Sequence, residues 1–450
     1  MDDQMVFSGL DAGERVDPVA GVHDAQPDDR PRLRRVDRHQ VRMIACSLDE
    51  LLADDHPARL LWEAVGQLDL SDFEQAIRAR GSEPGRAATD PRILITLWLY
   101  AATRGIGGGR EVARLCEVHD AYRWIAGGVT LNYHTINDFR VDHESALDAL
   151  FTQLLAVLLK QGLIEVQRVS QDATRVRAGA GSSSFRTEAT LQELEAEAHT
   201  HIETLKQQND PTWSAQQTAK RKADAKDRLD RVTQAIEQLS QVRDIQANNA
   251  SRKARQGREP RASTTDPEAR VMKMGDGGYR PAYNVQLAAD TESRAILGMT
   301  ISNHASDAGQ DTPMREQIKQ RTGRSVREHL YDGGYVTLKS IDQAEANGVA
   351  VYAPVPQNRK SKEPFARKRD DTDHSFAWRQ RMNTDAAKTI YKLRASTSET
   401  IHGDLREHRG LHQFHVRGSP KVKCVMLWMI LAYNLMLFLD DLTNPGVEKS

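Results

Sequence analysis

Apolar positions recur at helical spacing through the first third of the chain. Leu51-Leu52, Leu60-Leu61-Trp62, Val65, Leu68 and Leu70 open the series. Asp90-Pro91 predicts a helix start, an N-cap acceptor followed by a proline whose missing N–H costs nothing there. That helix runs through ILITLWLYAATRG, and Gly105 is placed to stop it. REVARLCEVHDAYRWIAGG follows Gly107–Gly109, and TLNYHTINDFR leads into ESALDALFTQLLAVLLKQG. The pattern predicts an all-α unit over 44–163, behind a tail and basic arm over 1–43.

From Leu163 the apolar runs shorten and become β-branched, with turn residues between them. Strands are expected at 164–171, 282–288, 295–302, 327–331 and 349–354. Helical patterns near 310–322 and 338–347 lie between the later ones. This order, a strand, a hairpin, then helix–strand–helix–strand, predicts an α/β unit around a mixed sheet over 164–440. Asp290-Thr291-Glu292-Ser293 reads as the hairpin turn, which makes Asp290 a turn former. An insertion at about 185–265 is rich in Glu, Gln, Lys, Arg and Ala. Leu191, Leu194, Ile202 and Leu205 predict one helix there, Asp210-Pro211 a break, and 214–245 a second helix. A short tail, 441–450, closes the chain.

Charge narrows the partners. Net charge is -1 over 450 residues, so a polyanion would have to be met by local patches. Four such stretches stand out: RPRLRRVDRHQVR (30–42), KRKADAKDRLDR in the insertion, NASRKARQGREPRAS (249–263) and QNRKSKEPFARKRD (357–370). Solvated faces and DNA-backbone contacts both fit them. The helix pair around Arg140, with Asn132, His134, Thr135 and Asn137, is compatible with a helix-turn-helix reader and equally with plain helical packing. Cys46, Cys116 and Cys424 are too dispersed for a disulfide framework or a zinc knuckle and fit a reducing cytoplasm; no signal-peptide pattern is present. Val425–Leu439 is apolar but short for a bilayer, and Asn434 interrupts it, so a buried helix is expected, with no membrane partner.

Three acids have distinct settings. Asp172 ends the stretch LIEVQRVSQD, Asp332 follows a short apolar approach in LYDGGY, and Glu399 lies in the helical stretch YKLRASTSE. Two carboxylates at strand ends and one on a late helix suit two hard divalent ions. Helical phase sets Arg406 near the face of Glu399; whether Arg394 lies on that helix or before it is left open. His408, His412 and His415 have the spacing of one helical face, which could bind zinc, but Gly410 interrupts it. Gly107–Gly109 is no phosphate loop, since no Gly-Lys-Ser/Thr follows, and no ATP is implied.

At these residues the chain resembles the DDE transposases of bacterial insertion sequences, in the group with an InsH-type helical N-terminal domain. The resemblance runs from about residue 36 to 440. It rests on DPRILITLWLYAATRGIGGGREVARLC, YRWIAGGVTLNYHTINDFR, DATRVRAGAGSSSFR, DPEARVMKMGDGGYRPAYNVQLAAD and YDGGY. It also rests on Tyr-x2-Arg-x4-Glu-x6-Arg, here Tyr391, Arg394, Glu399 and Arg406. Two positions depart from the family's usual pattern: Ala173 stands where Gly is common and Gly333 where Lys or Ala is. The resemblance implies an RNase H-like catalytic fold and a metal-binding acid triad of Asp172, Asp332 and Glu399. It implies Mg²⁺ or Mn²⁺, two ions, and Tyr391, Arg394 and Arg406 on the site or on DNA. The expected function is cleavage and strand transfer at element ends, in the cytoplasm, by a homodimer on DNA. Two alternatives stay open: a DNA-binding descendant without cleavage, and a metal-dependent nuclease that does not join strands.

Overall fold

The computed structural model describes residues 45–81, 87–207, 212–248, 259–356 and 363–443. The chain falls into two units, Met1–Cys46 and Ser47–Ser450, and the architecture that follows is the second one's. The basic arm at 30–42, residues 249–258 and 357–362 of the two basic loops, the Asp210-Pro211 break and 444–450 lie outside the described residues.

Among the described residues, a 3-10 turn (Asp49–Leu51) and seven α-helices open the second unit: α1 (Pro57–Gly66), α2 (Ser71–Gln75), α3 (Pro91–Thr103), α4 (Gly109–Val118), α5 (Asp120–Ala126), α6 (Tyr133–Val141) and α7 (Glu144–Lys160). The start expected at Asp90-Pro91 is there, with the Asp90 carboxylate accepting from the Arg92 N–H at 2.8 Å. α3 is buried on every side from Ile93 to Ala102, as a helix without a polar face must be.

The sheet follows. Its strands are β1 (Arg168–Arg177), then, after a short β2 (Phe185–Arg186), helices α8 (Glu188–Gln207) and α9 (Ala215–Asn248), and β3 (Ala262–Ser263), the strands β4 (Arg270–Lys273), β5 (Tyr279–Asp290) and β6 (Ile296–Ser302). Helix α10 (Asp311–Thr322), β7 (Glu328–Leu330), α11 (Leu338–Ala346) and β8 (Ala350–Tyr352) complete the α/β part. The order is β4-β5-β1-β7-β8, with β6 also on β5. β1 is antiparallel to β5 and parallel to β7, which is parallel to β8. The hairpin turn is as expected: Asp290 Oδ2 accepts from the Ser293 N–H at 2.8 Å and its hydroxyl at 2.6 Å. The helical insertion also forms, α8 and α9 closing a small core of Leu191, Val232, Ala235 and Leu239.

Two expectations are corrected. The strand expected at 164–171 starts later and runs further, so Asp172 sits mid-strand rather than at an end. Val166 takes a positive φ of 62°, which breaks the extended approach. Nine residue pairs with β5 carry the strand past Asp172 to Arg177. The region after the second basic stretch, for which no element was expected, holds α12 (Asp373–Asn383), started by a capping box at Thr372 and Ser375.

The last elements are α13 (Asp385–Gly403), a π turn (Asp404–His408), α14 (Ser419–Leu437) and α15 (Leu439–Thr443). α14 is long and apolar enough to cross a membrane, yet most of it is buried against α3, α6, α7 and β6. Asn434, which interrupts its apolar run, is fully buried and has a definite task. Its amide accepts from the Ile296 N–H at 2.9 Å and donates to the Ile296 carbonyl at 2.8 Å. The side chain thus does for the outer edge of β6 what a neighbouring strand would do. One apolar core runs from Ala58 through α14 into the sheet.

Asn434→Leu keeps the branched outline, with bulkier ends, and leaves both Ile296 backbone groups without this partner. Urea denaturation should show a loss of about 1–3 kcal/mol; unchanged stability would show that this clamp contributes nothing.

Candidate active site

Alternation along β1 sends Ser170, Asp172 and Thr174 to one face, where α13 packs. The Ser170 hydroxyl lies 3.0 Å from that of Ser398. Asp172 Oδ1 accepts from the Ala173 N–H at 2.9 Å, and Oδ2 accepts from Arg394 Nη1 at 3.2 Å. The Thr174 hydroxyl accepts from Arg406. Arg394 therefore lies well inside the helix, and its guanidinium reaches the first acid.

The parallel pairing of β1 and β7 ends at Ser170 opposite Leu330. Two residues further on each strand come Asp172 and Asp332, so the register sets them level where β7 stops. Asp332 turns the chain there, Oδ1 accepting from the Gly334 N–H at 2.8 Å. A Cβ at Gly334 would lie 3.0 Å from that oxygen and 3.5 Å from Asp307 Oδ2. A side chain at the second glycine of LYDGGY would thus crowd the Asp332 carboxylate.

Asp307 is a residue that sequence reasoning missed. It follows β6 in a loop with no motif around it. Asn284 and Gln286 of β5 each donate to its Oδ1 at 2.7 Å. Gln286 also accepts from Gln171 at 3.2 Å and from the Tyr335 hydroxyl. Buried amides thus fix a third carboxylate beside Asp332. His402 was missed as well. Burial, then Arg406 and Arg394, hold its imidazole down at about 4, so it is neutral at physiological pH.

The electrostatics follow from this crowding. Burial pushes the Asp172 carboxyl above 3.8; the Ala173 N–H and Arg394 oppose the shift, and Asp332 and Asp307 add to it. Tyr391, one turn before Arg394, has its ring 5.8 Å from that guanidinium. Burial raises its phenol, and the nearby arginine lowers it.

Of the six residues singled out, the structure brings Asp172, Asp332, Tyr391 and Arg394 together and joins Arg406 to the same strand. Glu399 is exposed, about 100° around α13 from Ser398. Among the described residues it makes no hydrogen bond or ion pair with either aspartate. The helix-phase argument for Arg406 fails physically, because α13 gives way to the π turn before that residue. His408, His412 and His415 are exposed, and Gly410, at a φ of 71°, breaks the helix as expected.

Two family models match the chain. The Transposase DDE domain covers residues 249–435, and the Transposase domain (DUF772) covers 46–142. The chain belongs to the DDE transposases of insertion sequences. Asp332 and Glu399 fall inside the first match; Asp172 lies between the two. Nothing among curated proteins or solved structures matches the chain.

The family implies a divalent metal. Among the described residues no three His, Cys, Asp or Glu side chains form a ready cage. The donors suit a hard ion nonetheless. They are all oxygens, and Gln171 Oε1 and Asn284 Oδ1 are buried acceptors without a partner. Magnesium-type ions commonly take one or two carboxylates and complete their shell with water and substrate phosphate.

A raised folded-state value for Asp172 means that the native protein binds this proton more tightly than the unfolded chain. Stability is therefore lost as pH rises from about 3.8 through the folded value. In metal-free protein, Asp172→Asn should melt progressively higher relative to wild type as pH rises through that window. A difference that does not vary with pH would contradict the crowding.

Proposed function

We propose that this transposase cuts DNA at the ends of its element and joins the freed 3′-OH to a target phosphate. The observation that carries this reading is the meeting of Asp172 and Asp332 where β7 ends, with Arg394 bonded to the first. The sheet supports it too: an antiparallel β6-β5-β1 set continued by parallel β7 and β8 is the strand order of an RNase H-like fold.

Asp172, Asp332 and Glu399 are the proposed ligands of two Mg²⁺ or Mn²⁺ ions. Bound there, such ions would supply Lewis-acid stabilisation of the attacking and leaving oxygens. Glu399, exposed and without a described partner, is available as the third carboxylate. Arg394 holds Asp172 in place through its Nη1 and keeps a positive charge beside the carboxylate. Arg406 and Tyr391 flank the same strand face and suit a phosphodiester backbone. His402, being neutral, adds no repulsion toward the arginines beside it. The enzyme's contribution is positioning and charge stabilisation.

The helical part over 44–163 is the proposed DNA-binding domain, and a homodimer is proposed to hold two ends together in the cytoplasm. Its α6 is not a free reading helix on every side. Asn137 accepts from the Gly109 N–H at 3.0 Å, Arg140 donates to the Gly107 carbonyl, and Asn132 caps the helix. His134, Thr135 and Asp138 remain exposed for DNA.

The test is a plasmid carrying the flanks of the protein's own gene, incubated with Mg²⁺. Wild type should cut and join at the flanks. Glu399→Gln and Asp332→Asn should show only background, and Arg394→Gln should fall by ~10–100-fold as a partner of a metal ligand. Cutting without joined products would instead indicate a nuclease. Binding without cutting by wild type would indicate a DNA-binding descendant.

A further inference from the structure

A cavity of about 290 Å³ lies away from the acids, between the helical part and the C-terminal segment. Trp98 of α3 and Trp428 and Met429 of α14 form its apolar wall. Gly105, Gly108, Gly410 and His415 are exposed and form its mouth. Two glycine turns meet there with little room to spare. A Cβ at Gly105 would come within 3.1 Å of the His408 carbonyl, and one at Gly410 within 3.2 Å of the Gly105 carbonyl. Both residues also have positive φ, at 66° and 71°. The glycine turn at Gly105–Gly109 and the one at Gly410, which the cutting chemistry leaves unexplained, thus build one rim.

Two guanidiniums line this cavity. Arg409 is 7% exposed; its Nε pairs with Asp404, while its Nη1 is buried without a partner. Arg140 lies 4.8 Å over the Trp98 ring and donates to the Gly107 carbonyl; its Nε is likewise unpartnered. Among the described residues Arg140 has no ion pair. Burial alone brings its guanidinium down to about 10, a measure of the missing counter-charge. Two guanidiniums against the single carboxylate of Asp404 leave one positive charge uncompensated in a confined, partly apolar space. A buried, unpaired charge is costly, and an oxyanion with several acceptors is its natural complement.

The geometry points to this cavity as an anion site, separate from the acids, that receives a single phosphate group on Arg140 and Arg409. A phosphodiester of bound DNA and a free phosphate have the same chemistry here. The diester carries a single negative charge and free phosphate between roughly one and two near neutral pH, enough in either case to offset the unpaired guanidinium.

The test uses the full chain without divalent metal. Phosphate should raise the melting temperature of wild type above that in chloride at equal ionic strength, and calorimetry should register its binding. Arg140→Gln should weaken phosphate binding at least tenfold. Arg409→Lys keeps the charge but replaces the forked guanidinium, Nε and both Nη, with a single ammonium, should weaken it similarly, and serves if Arg140→Gln does not fold. No phosphate effect beyond chloride, or equal binding by wild type and variants, would overturn the site. A second arm titrates a duplex of the gene's flanks against salt. If the phosphate belongs to DNA, Arg140→Gln lowers the log–log salt slope by about 1 and free phosphate competes with the duplex. An unchanged slope alongside weakened phosphate binding identifies a free phosphate as the ligand. The first arm needs no strand cleavage, so its result stands apart from that of the acid site.

Discussion

Asp172 on β1 is partly withdrawn from water beside Asp332, which lies just past the end of β7, and burial first, then the neighbouring acids, push the Asp172 carboxyl up. The rest of the site answers that constraint. Arg394 supplies one positive charge from α13, the Ala173 N–H supplies a dipole, and Asp307 adds a further negative charge that the protein holds with two buried amides. Acids gathered in this way and balanced only in part would suit the cation and phosphate proposed above.

The fold makes this placement possible through unequal strands. β1 is long because β5 pairs with it over nine residues, whereas β7 pairs with it over only three. The carboxylate face of β1 therefore projects beyond the end of its parallel neighbour, and the turn after β7 drops Asp332 into the gap. α13 covers the same face and brings Arg394 and Ser398 down onto it. α14 then ties this assembly to the helical part, its apolar surface buried against α3, α6 and α7 on one side and its Asn434 clamped to β6 on the other. The same tie sets the glycine turns of residues 105 and 410 against each other, so the cavity at Arg140 is a product of the packing that positions the acids.

Much of this was legible in the chain because short-range physics decides it. Asp90-Pro91 starts a helix wherever it occurs before an apolar periodic run, and Asp290 with Ser293 closes a turn by itself. The helical hairpin of the insertion and the burial of Val425–Leu439 likewise follow from periodicity and length. What was not legible depends on partners distant in sequence. β1 passes Asp172 because β5, more than a hundred residues later, extends it. Asp307 has no local signature; its role emerges only when Asn284 and Gln286 are brought beneath it. Arg140 is compatible in sequence with a DNA reader and with plain packing alike, and only tertiary packing sets it over the Trp98 ring. Glu399 was found through a family motif, and its phase on α13 relative to Ser398 is a property of helix packing that no motif encodes.

Asp172 and Asp332 are proposed to form one electrostatic site completed by a divalent cation. Electron paramagnetic resonance of Mn²⁺ titrated into the protein tests it without requiring DNA or turnover. Mn²⁺ should bind to wild type and be lost from both Asp172→Asn and Asp332→Asn. Equal Mn²⁺ binding by wild type and the two variants would contradict it.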